Sequence, residues 1–597
     1  MTNANRLVSF SLCLAAVLAA SIAWRAHAQP GAIENAQPTV VGFPTDWPAG
    51  PARDAQPIWA APGKIRFARW DGGRIETAKA MLSGWVGFNP PIPDYVDSMT
   101  NWYTPRTARL LKESGVNTIT VTFSNGFSNQ TERNHQEQLK EYIALCHREG
   151  IRVLAYESIA NMFWEDMFEN VPESKDWVRK GPDGKPTPYS AGSYAKMGRV
   201  TRYMARLAHP GWREYLKKRI DLAIEAGADG IFYDNNFNEY LFETYREMYR
   251  HGLSRKRDFV MGGNFHSNTY VLNRITNLIS TEDGVEPGIY AAANVPERDA
   301  AKKQLASVGD GYLVTNLGLY RLLNAFSHGW KPVIVEDGKR ETSDRLARPI
   351  PARRHQLALA EAWPLGASMQ LFSEGAFADG LYRARPEAME IWQAIGRYNR
   401  FHAANELLYV NAAPWANVAV VLDESSAGTA ALNALAARNV GYRVIYEHDM
   451  TADHLLGVRA VVAATAEMRP KADAAIESFK SSGGKVFRLS ETPSIDALAR
   501  QVAAAAPPPF TLEAPAGVLA VATTQNAGQR LLIHLLNYTA QPAGKVRIVV
   551  RGPVKSAALH TPDETHGTMR VDGANIEVPW LDTYSVIVAQ MERAVQP

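Results

Sequence analysis

Carboxylates standing where short apolar runs end are the residues of this chain best suited to chemistry. Asp234 closes the run Gly230-Ile231-Phe232-Tyr233, Glu282 and Asp283 follow Thr281, and Glu336 and Asp337 follow Val335. Glu157 follows Tyr156, and Glu374 follows Ser373. Two carboxyl groups flanking one bond can divide the work of cleaving a glycosidic linkage: one protonates the leaving oxygen while the other attacks or stabilises the anomeric carbon. Asp234 is the nucleophile candidate, because the apolar residues before it hold it on a rigid element. Glu282 or Asp283 comes first for the acid, since crowding two carboxylates before the turn at Gly284 favours keeping one protonated. Glu336 and Asp337 come second, for acid or for binding hydroxyls, and Glu157 third. Glu374 is equally suited to neutralising an arginine. Against this stands the ordinary role of Asp and Asn as turn and cap residues.

These groups need a frame that brings strand ends together. Strand-like runs at 65–69 or 84–88, 117–123, 152–156, 230–233, 259–262, 278–281, 332–335 and 368–372 alternate with helical patterns. That alternation predicts a parallel sheet, and eight such units predict a TM (β/α)8 barrel with its active site at the C-terminal ends of the strands. The helices carry stop and start signals. Thr104-Pro105 opens one that ends at Ser114-Gly115. Another places Trp212, Tyr215, Leu216, Ala223 and Ala226 on one face before Gly227 stops it and the Asp234 strand begins. A long aromatic insert, 164–208, separates the third and fourth strands and is expected to shape a pocket.

Beyond the barrel, assigned to residues 63–400, the texture changes. Residues 410–500 read as a small flavodoxin- or amidotransferase-like α/β module, suited to self-association as a homo-oligomer, and 510–592 as a C-terminal β-sandwich. Residues 1–28 carry an early arginine, an apolar run and Ala26-His27-Ala28, the pattern of a cleaved signal peptide, followed by a lead-in at 29–62. The expected location is periplasmic or secreted.

Removal of that signal discards two arginines and no acid, so the formal charge of +3 falls close to neutrality, which offers no attraction for nucleic acid. It also discards Cys13 and leaves Cys146, on an apolar helical face, as a core residue rather than a nucleophile. No later segment has the length and apolarity of a membrane span. Zinc-type His/Cys spacing, a phosphate loop and a Gly-x-Ser-x-Gly elbow are all missing from the sequence, so no cofactor or metal is expected. Aromatics at strand ends, Trp85, Trp102, Trp164 and Tyr233, are suited to stacking on sugar faces. Asn235, Asn264 and His266 are suited to hydrogen-bonding hydroxyls. A carbohydrate is the partner this set fits.

The block His209-Pro210-Gly211-Trp212-Arg213-Glu214-Tyr215, followed by Gly227 to Asn235, resembles the approach to the fourth strand in retaining α-glycosidase barrels. In that resemblance the aspartate matching Asp234 is the nucleophile. The general acid follows the sixth strand, or in other families the fifth, which implies Glu282 or Asp283 and leaves Asn264 and His266 as binders. The order barrel, α/β module, sandwich is similar to glycoside hydrolase family 42 β-galactosidases, and Leu532 to Tyr538 resembles the start of a sandwich strand in such enzymes. Where that family carries an Asn-Glu pair after the fourth strand, Asp234-Asn235 stands here. The expectation is an exported retaining glycosidase acting on oligo- or polysaccharide. A catalytically silent glycan-binding barrel and a transglycosylase are the alternatives.

Overall fold

The computed structural model describes residues 51–596 apart from 52, 54–55, 74–94, 189–201, 237–240, 292–305, 337–349, 373–374, 424–428 and 466–467. Eight strands form one parallel sheet: β1 (Phe67–Arg69), β2 (Thr118–Ser124), β3 (Arg152–Ser158), β4 (Gly230–Asp234), β5 (Val260–Gly263), β6 (Ile279–Thr281), β7 (Val333–Glu336) and β8 (Ala367–Phe372). The sheet runs β5-β4-β3-β2-β1-β8-β7-β6, so its two edges are β5 and β6. Those edges meet. Leu278 N donates to Met261 O at 3.2 Å, Met261 N to Asn277 Oδ1 at 2.7 Å, and Gly263 N to Ser280 Oγ at 3.1 Å. A nearly closed eight-stranded parallel barrel results. Pairing settles the identity of the first strand, because Phe67–Arg69 ladders with β2 on one side and β8 on the other. The alternative run 84–88 lies outside the described residues.

The barrel is filled rather than hollow. Ile65, Phe67, Leu154, Tyr156, Phe232, Val260, Leu278 and Ile334 form one buried interior cluster, while the intervening residues, among them Ala68, Val153, Ile231, Met261, Val333 and Val335, pack outward against the helices. Successive strand residues point to opposite faces, so these two clusters fix which residues look into the barrel. Each large apolar side chain buried this way contributes about 1.5–3 kcal/mol.

The helices form where their punctuation sits. α1 (Pro105–Glu113) starts on a Thr104 capping box with proline in its first turn, and Gly115 ends it at φ +71°. α2 (Asn129–Arg148) is capped by Ser128. α3 (Pro210–Glu225) is capped by His209, whose Nδ1 accepts from Gly211 N at 3.1 Å, and Gly227 terminates it at φ +100°. Its Trp212, Tyr215, Leu216 and Ala223 are buried as the spacing predicts, and Arg219 is buried on the same face. Cys146 is fully buried on α2, and burial pushes its thiol up to about 12.

After the barrel the chain lays Ala413–Pro414 along the sandwich before entering the α/β module. The module has four parallel strands, β9 (Val418–Leu422), β10 (Tyr442–Tyr446), β11 (Ala460–Ala463) and β12 (Lys485–Arg488), in the order β10-β9-β11-β12. The sandwich core joins a sheet containing Val518–Gln525, Arg530–Asn537, Val554–His560 and Tyr584–Met591 to a second sheet. The second sheet is built from Phe510–Glu513, Val546–Val550, Arg570–Asp572 and Asn575–Val578. Phe510–Glu513 and Arg570–Asp572 are edge strands that the alternation pattern alone does not reveal. Among the described residues no helix is long and apolar enough to cross a membrane.

Candidate active site

Two aspartates bracket β4, and their surroundings separate structure from chemistry. Asp229, just before the strand, is buried and bound by His147 at 2.9 Å, Arg152 at 3.0 Å and the Val153 amide at 2.9 Å. Burial raises its pKa, but these donors outweigh burial and hold the carboxyl below its usual range. It ties the N-terminal end of the barrel. Asp234 stands at the other end, on the interior face with Phe232 two residues below it.

Two donors orient the Asp234 carboxylate. The Tyr156 hydroxyl donates to Oδ2, and the backbone amide of Asn235 donates to Oδ1. The second contact follows from backbone shape. Asn235 adopts φ +66°, a left-handed conformation that asparagine tolerates better than most residues, which folds its amide back onto the preceding side chain. Asn235 and Asn236 are themselves buried. Asn235 pairs with Asn161, while Asn236 donates to Asn264 O at 2.8 Å and accepts from Tyr245. Both asparagines therefore hold the turn.

Tyr156 links Asp234 to a second group. The Arg69 guanidinium lies 4.9 Å from the centre of the Tyr156 ring. It pairs with Asp71 and lies 3.8 Å from Glu336. Asp71 also accepts from Thr122 Oγ1 at 2.9 Å. Burial first, and the Asp234 charge second, push the Tyr156 phenol well above its ordinary pKa, so it remains a neutral donor at any working pH. For an enzyme in which Asp234 acts on the substrate, removing that donor with Tyr156→Phe is expected to lower kcat about 10- to 100-fold, the worth of a hydrogen bond to a charged group. KM should stay within about threefold. Steady-state kinetics on the best substrate would check both.

Across the closure of the barrel lies a second cluster. Asn264 N donates to Tyr233 O at 2.7 Å, which brings the ends of β4 and β5 together. The Asn264 side chain donates to Glu282. His266 pairs with Glu282 through Nε2, and its Nδ1 lies 3.6 Å from Asp283. Tyr270 donates to Asp283 Oδ2 at 2.7 Å. The imidazole standing between the two acids can neutralise one of them or take its proton.

Alternation gives the wider arrangement. Arg69, Thr122, Tyr156, Asp234, Asn264, Glu282, Glu336 and Gln370 each stand an even number of residues from an interior position or share register with one. Every strand thus delivers at least one polar residue to the mouth, above an interior in which the apolar cluster shares register with Thr118, Ser280 and Ser368. Such a ring can hold a polyhydroxylated ligand and supply both an ionised carboxylate and a proton-carrying group.

Asp234, Asn264, His266, Glu282, Asp283 and Glu336 all belong to this mouth. Glu157 and Tyr233 do not. Both are fully buried on the outward face, Tyr233 with its ring 5.5 Å from that of Tyr245 on the helix Leu241–Arg255, because they follow Tyr156 and Phe232 by one residue and alternate to the other side. The expectation that they bind substrate is corrected accordingly. Trp102 is 1% exposed and packs 4.8 Å from Trp70, as core. Asp337, Glu374, Trp85 and the Trp164 side chain lie outside the described residues. The aromatic insert folds back in part. Its strand Arg202–Met204 pairs with Asn161–Phe163, and Trp177 packs against Trp212 and Tyr215.

Arg69, Asp71, Tyr156 and Tyr270 enter the site without having been singled out in the sequence. A charged pair flanking Trp70 at the end of an apolar strand was the available signal for the first two. No group of three or more His, Cys, Asp or Glu side chains suited to a metal occurs among the described residues.

Comparison with solved structures places this architecture. It superposes on alpha-L-fucosidase isoenzyme 2 from Paenibacillus thiaminolyticus with a TM-score of 0.59 at 12% identity, covering 89% of this chain and 100% of that one. A catalytic mutant of a GH42 beta-galactosidase from G. stearothermophilus gives 0.56 at 11% identity, covering 90% and 100%. The likeness is one of fold, over nearly the whole length of this chain and of both enzymes. No protein-family model and no curated protein matches the sequence.

Proposed function

We propose that this protein is an exported, periplasmic or secreted, retaining glycoside hydrolase of oligo- or polysaccharides. Asp234 is the nucleophile, and the Glu282–Asp283 pair supplies the acid/base. The observation that carries the reading is the Asp234 carboxylate itself. It faces the barrel interior at the C-terminal mouth, is oriented by two donors, and stands beside the strand ends that hold the second acidic cluster. Both accessory units and the barrel follow the fold of enzymes whose names denote sugar cleavage, which supports a carbohydrate substrate.

In the proposed sequence, Asp234 attacks the anomeric carbon as Glu282 or Asp283 protonates the departing glycosidic oxygen. The same acid, now a base, draws a proton from water, which cleaves the glycosyl ester and restores Asp234. Tyr156 keeps the nucleophile aimed and yields part of its hydrogen bond as carboxylate charge moves into the new bond. Arg69 keeps Glu336 and Asp71 compensated. His266 tracks the charge on the acid pair. Asn264 and Glu336 are placed to accept or donate to sugar hydroxyls.

The test is a panel of aryl glycosides and natural oligosaccharides followed by proton NMR of the first-formed product. Release of a sugar with the anomeric configuration of the substrate supports the reading. Inverted product would reassign Asp234 as a base. Binding without turnover across the panel would favour a glycan-binding barrel.

A further inference from the structure

The acidic cluster after β6 is joined to the α/β module by one short helix. The 3-10 helix Ser267–Arg274 leaves β5 just after His266 and carries three contacts along its length. Tyr270 donates to Asp283 Oδ2 at 2.7 Å. Asn273 clamps β6 two residues before Glu282: its Oδ1 accepts from Ser280 N at 2.8 Å and its Nδ2 donates to Ser280 O at 3.3 Å. At the end of the helix, Arg274 meets Asp449 in a bidentate pair, Nη1 to Oδ2 at 2.7 Å and Nη2 to Oδ1 at 2.8 Å. Asp449 belongs to the module, in the turn that follows β10.

This pair is built as an anchor. Its side chains are only 17% and 13% exposed, so water competes weakly for either charge. The fork-to-fork geometry fixes direction as well as distance. Lys331 Nζ, buried at the start of β7, holds the same helix end through Asn273 O at 3.0 Å and Arg274 O at 2.9 Å. Tyr446, on β10, packs 4.7 Å from Phe326. Among the described residues, the charged and titratable groups around Asp449 include Arg274, His328 with Nε2 at 3.8 Å, His448, His454 stacked on His328 at 5.4 Å, and the Glu447–Arg469 pair.

We propose that Asp449 of the α/β module is a positioning residue for the acid pair, acting through Arg274 and Tyr270 to hold Asp283 and Glu282 at the barrel mouth. The module is then part of the active-site frame. This inference rests on the acid/base role given to Glu282 and Asp283, and its test separates the two. Misplacing a reacting group by about 1 Å can cost two orders of magnitude in rate. A lever one helix long is expected to transmit a fraction of that.

The experiment uses the full chain with 13Cε1-labelled histidine, the His266 signal being assigned by its loss in His266→Gln. In Asp449→Asn, the His266 titration midpoint is expected to move by about half a pH unit or more, because the geometry of its two carboxylate partners changes. On the best substrate of the panel, kcat should fall about tenfold with KM within about twofold, and the alkaline limb of the kcat/KM pH profile, which reports the general acid, should move with it. Arg274→Lys keeps the charge but loses the fork, so it should fall between wild type and Asp449→Asn. It also serves if that variant does not fold. An unchanged His266 titration in a folded Asp449→Asn or Arg274→Lys protein would overturn the positioning role. If the wild type turns over no glycoside, the glycosidase reading fails while the histidine titration still decides the coupling.

Discussion

Asp234→Ala should reduce turnover by three orders of magnitude or more, a barrier increase of about 4 kcal/mol. The loss should fall on kcat and kcat/KM together, because in the proposed mechanism the carboxylate acts in the bond-forming step and not in holding sugar hydroxyls. The stability cost should be modest: Asp234 is itself only partly buried, but its donors, the Tyr156 hydroxyl and the Asn235 amide, are buried and lose their acceptor, at about 1–3 kcal/mol. The cavity left by the aspartate gives a second readout. A small external anion such as azide can enter and attack the anomeric carbon from the face the carboxylate used, restoring turnover on an activated aryl glycoside. The product would then be a glycosyl azide of inverted configuration. Asp229→Ala provides the contrast, since Asp229 lies at the opposite end of β4 and holds His147 and Arg152. Its loss should lower stability, and added azide should restore nothing.

Glu157→Gln should stabilise the protein increasingly as pH rises, with turnover retained. Burial, partly offset by Arg219, moves the Glu157 carboxyl up to about 8 from an ordinary value of 4.5, and Glu132 adds to the rise. None of the described residues hydrogen-bonds either of its oxygens. Between those two values the folded chain keeps the proton while the unfolded chain loses it. The folded state thus binds more protons, and stability falls as pH increases. The contribution is fully present below about pH 4.5 and is lost by about pH 8. At 1.36 kcal/mol per unit, the loss is on the order of 4 kcal/mol. Glutamine keeps the shape and carries no charge at any pH. The melting temperatures of variant and wild type should coincide near pH 4.5 and separate steadily towards pH 8, as followed by calorimetry or circular dichroism. A gap of constant size across that range would show that Glu157 does not change its proton occupancy on folding.

The contrast between Asp234 and Glu157 shows what was legible in the sequence. Apolar runs and helix punctuation located the barrel strands, because turn residues such as Gly115 and Gly227 and caps such as Thr104 act locally. Carboxylates at the strand ends were visible in the same way. Their facing was not. β2 does alternate, with Thr118, Thr120 and Thr122 inward and Ile119, Val121 and Phe123 outward, but β3 and β4 are apolar on both sides, so there no polar alternation marks which of two adjacent residues looks inward. A one-residue step separates Tyr156, which touches the nucleophile candidate, from Glu157, which is sealed behind the sheet. Arg69 and Asp71 were hidden by distance, since they reach Tyr156 and Thr122 only once β1, β2 and β3 lie side by side. The tie between Arg274 and Asp449 spans two folding units and leaves no local pattern.

The most direct measurement of the central claim is peptide mapping of the protein after inactivation with a panel of fluorine-substituted glycosyl fluorides, which slow breakdown of a glycosyl ester more than its formation. The account predicts a single glycosyl adduct, carried by Asp234 and absent in Asp234→Ala. An adduct on another carboxylate, or turnover of a panel sugar with net inversion and no adduct, would contradict it.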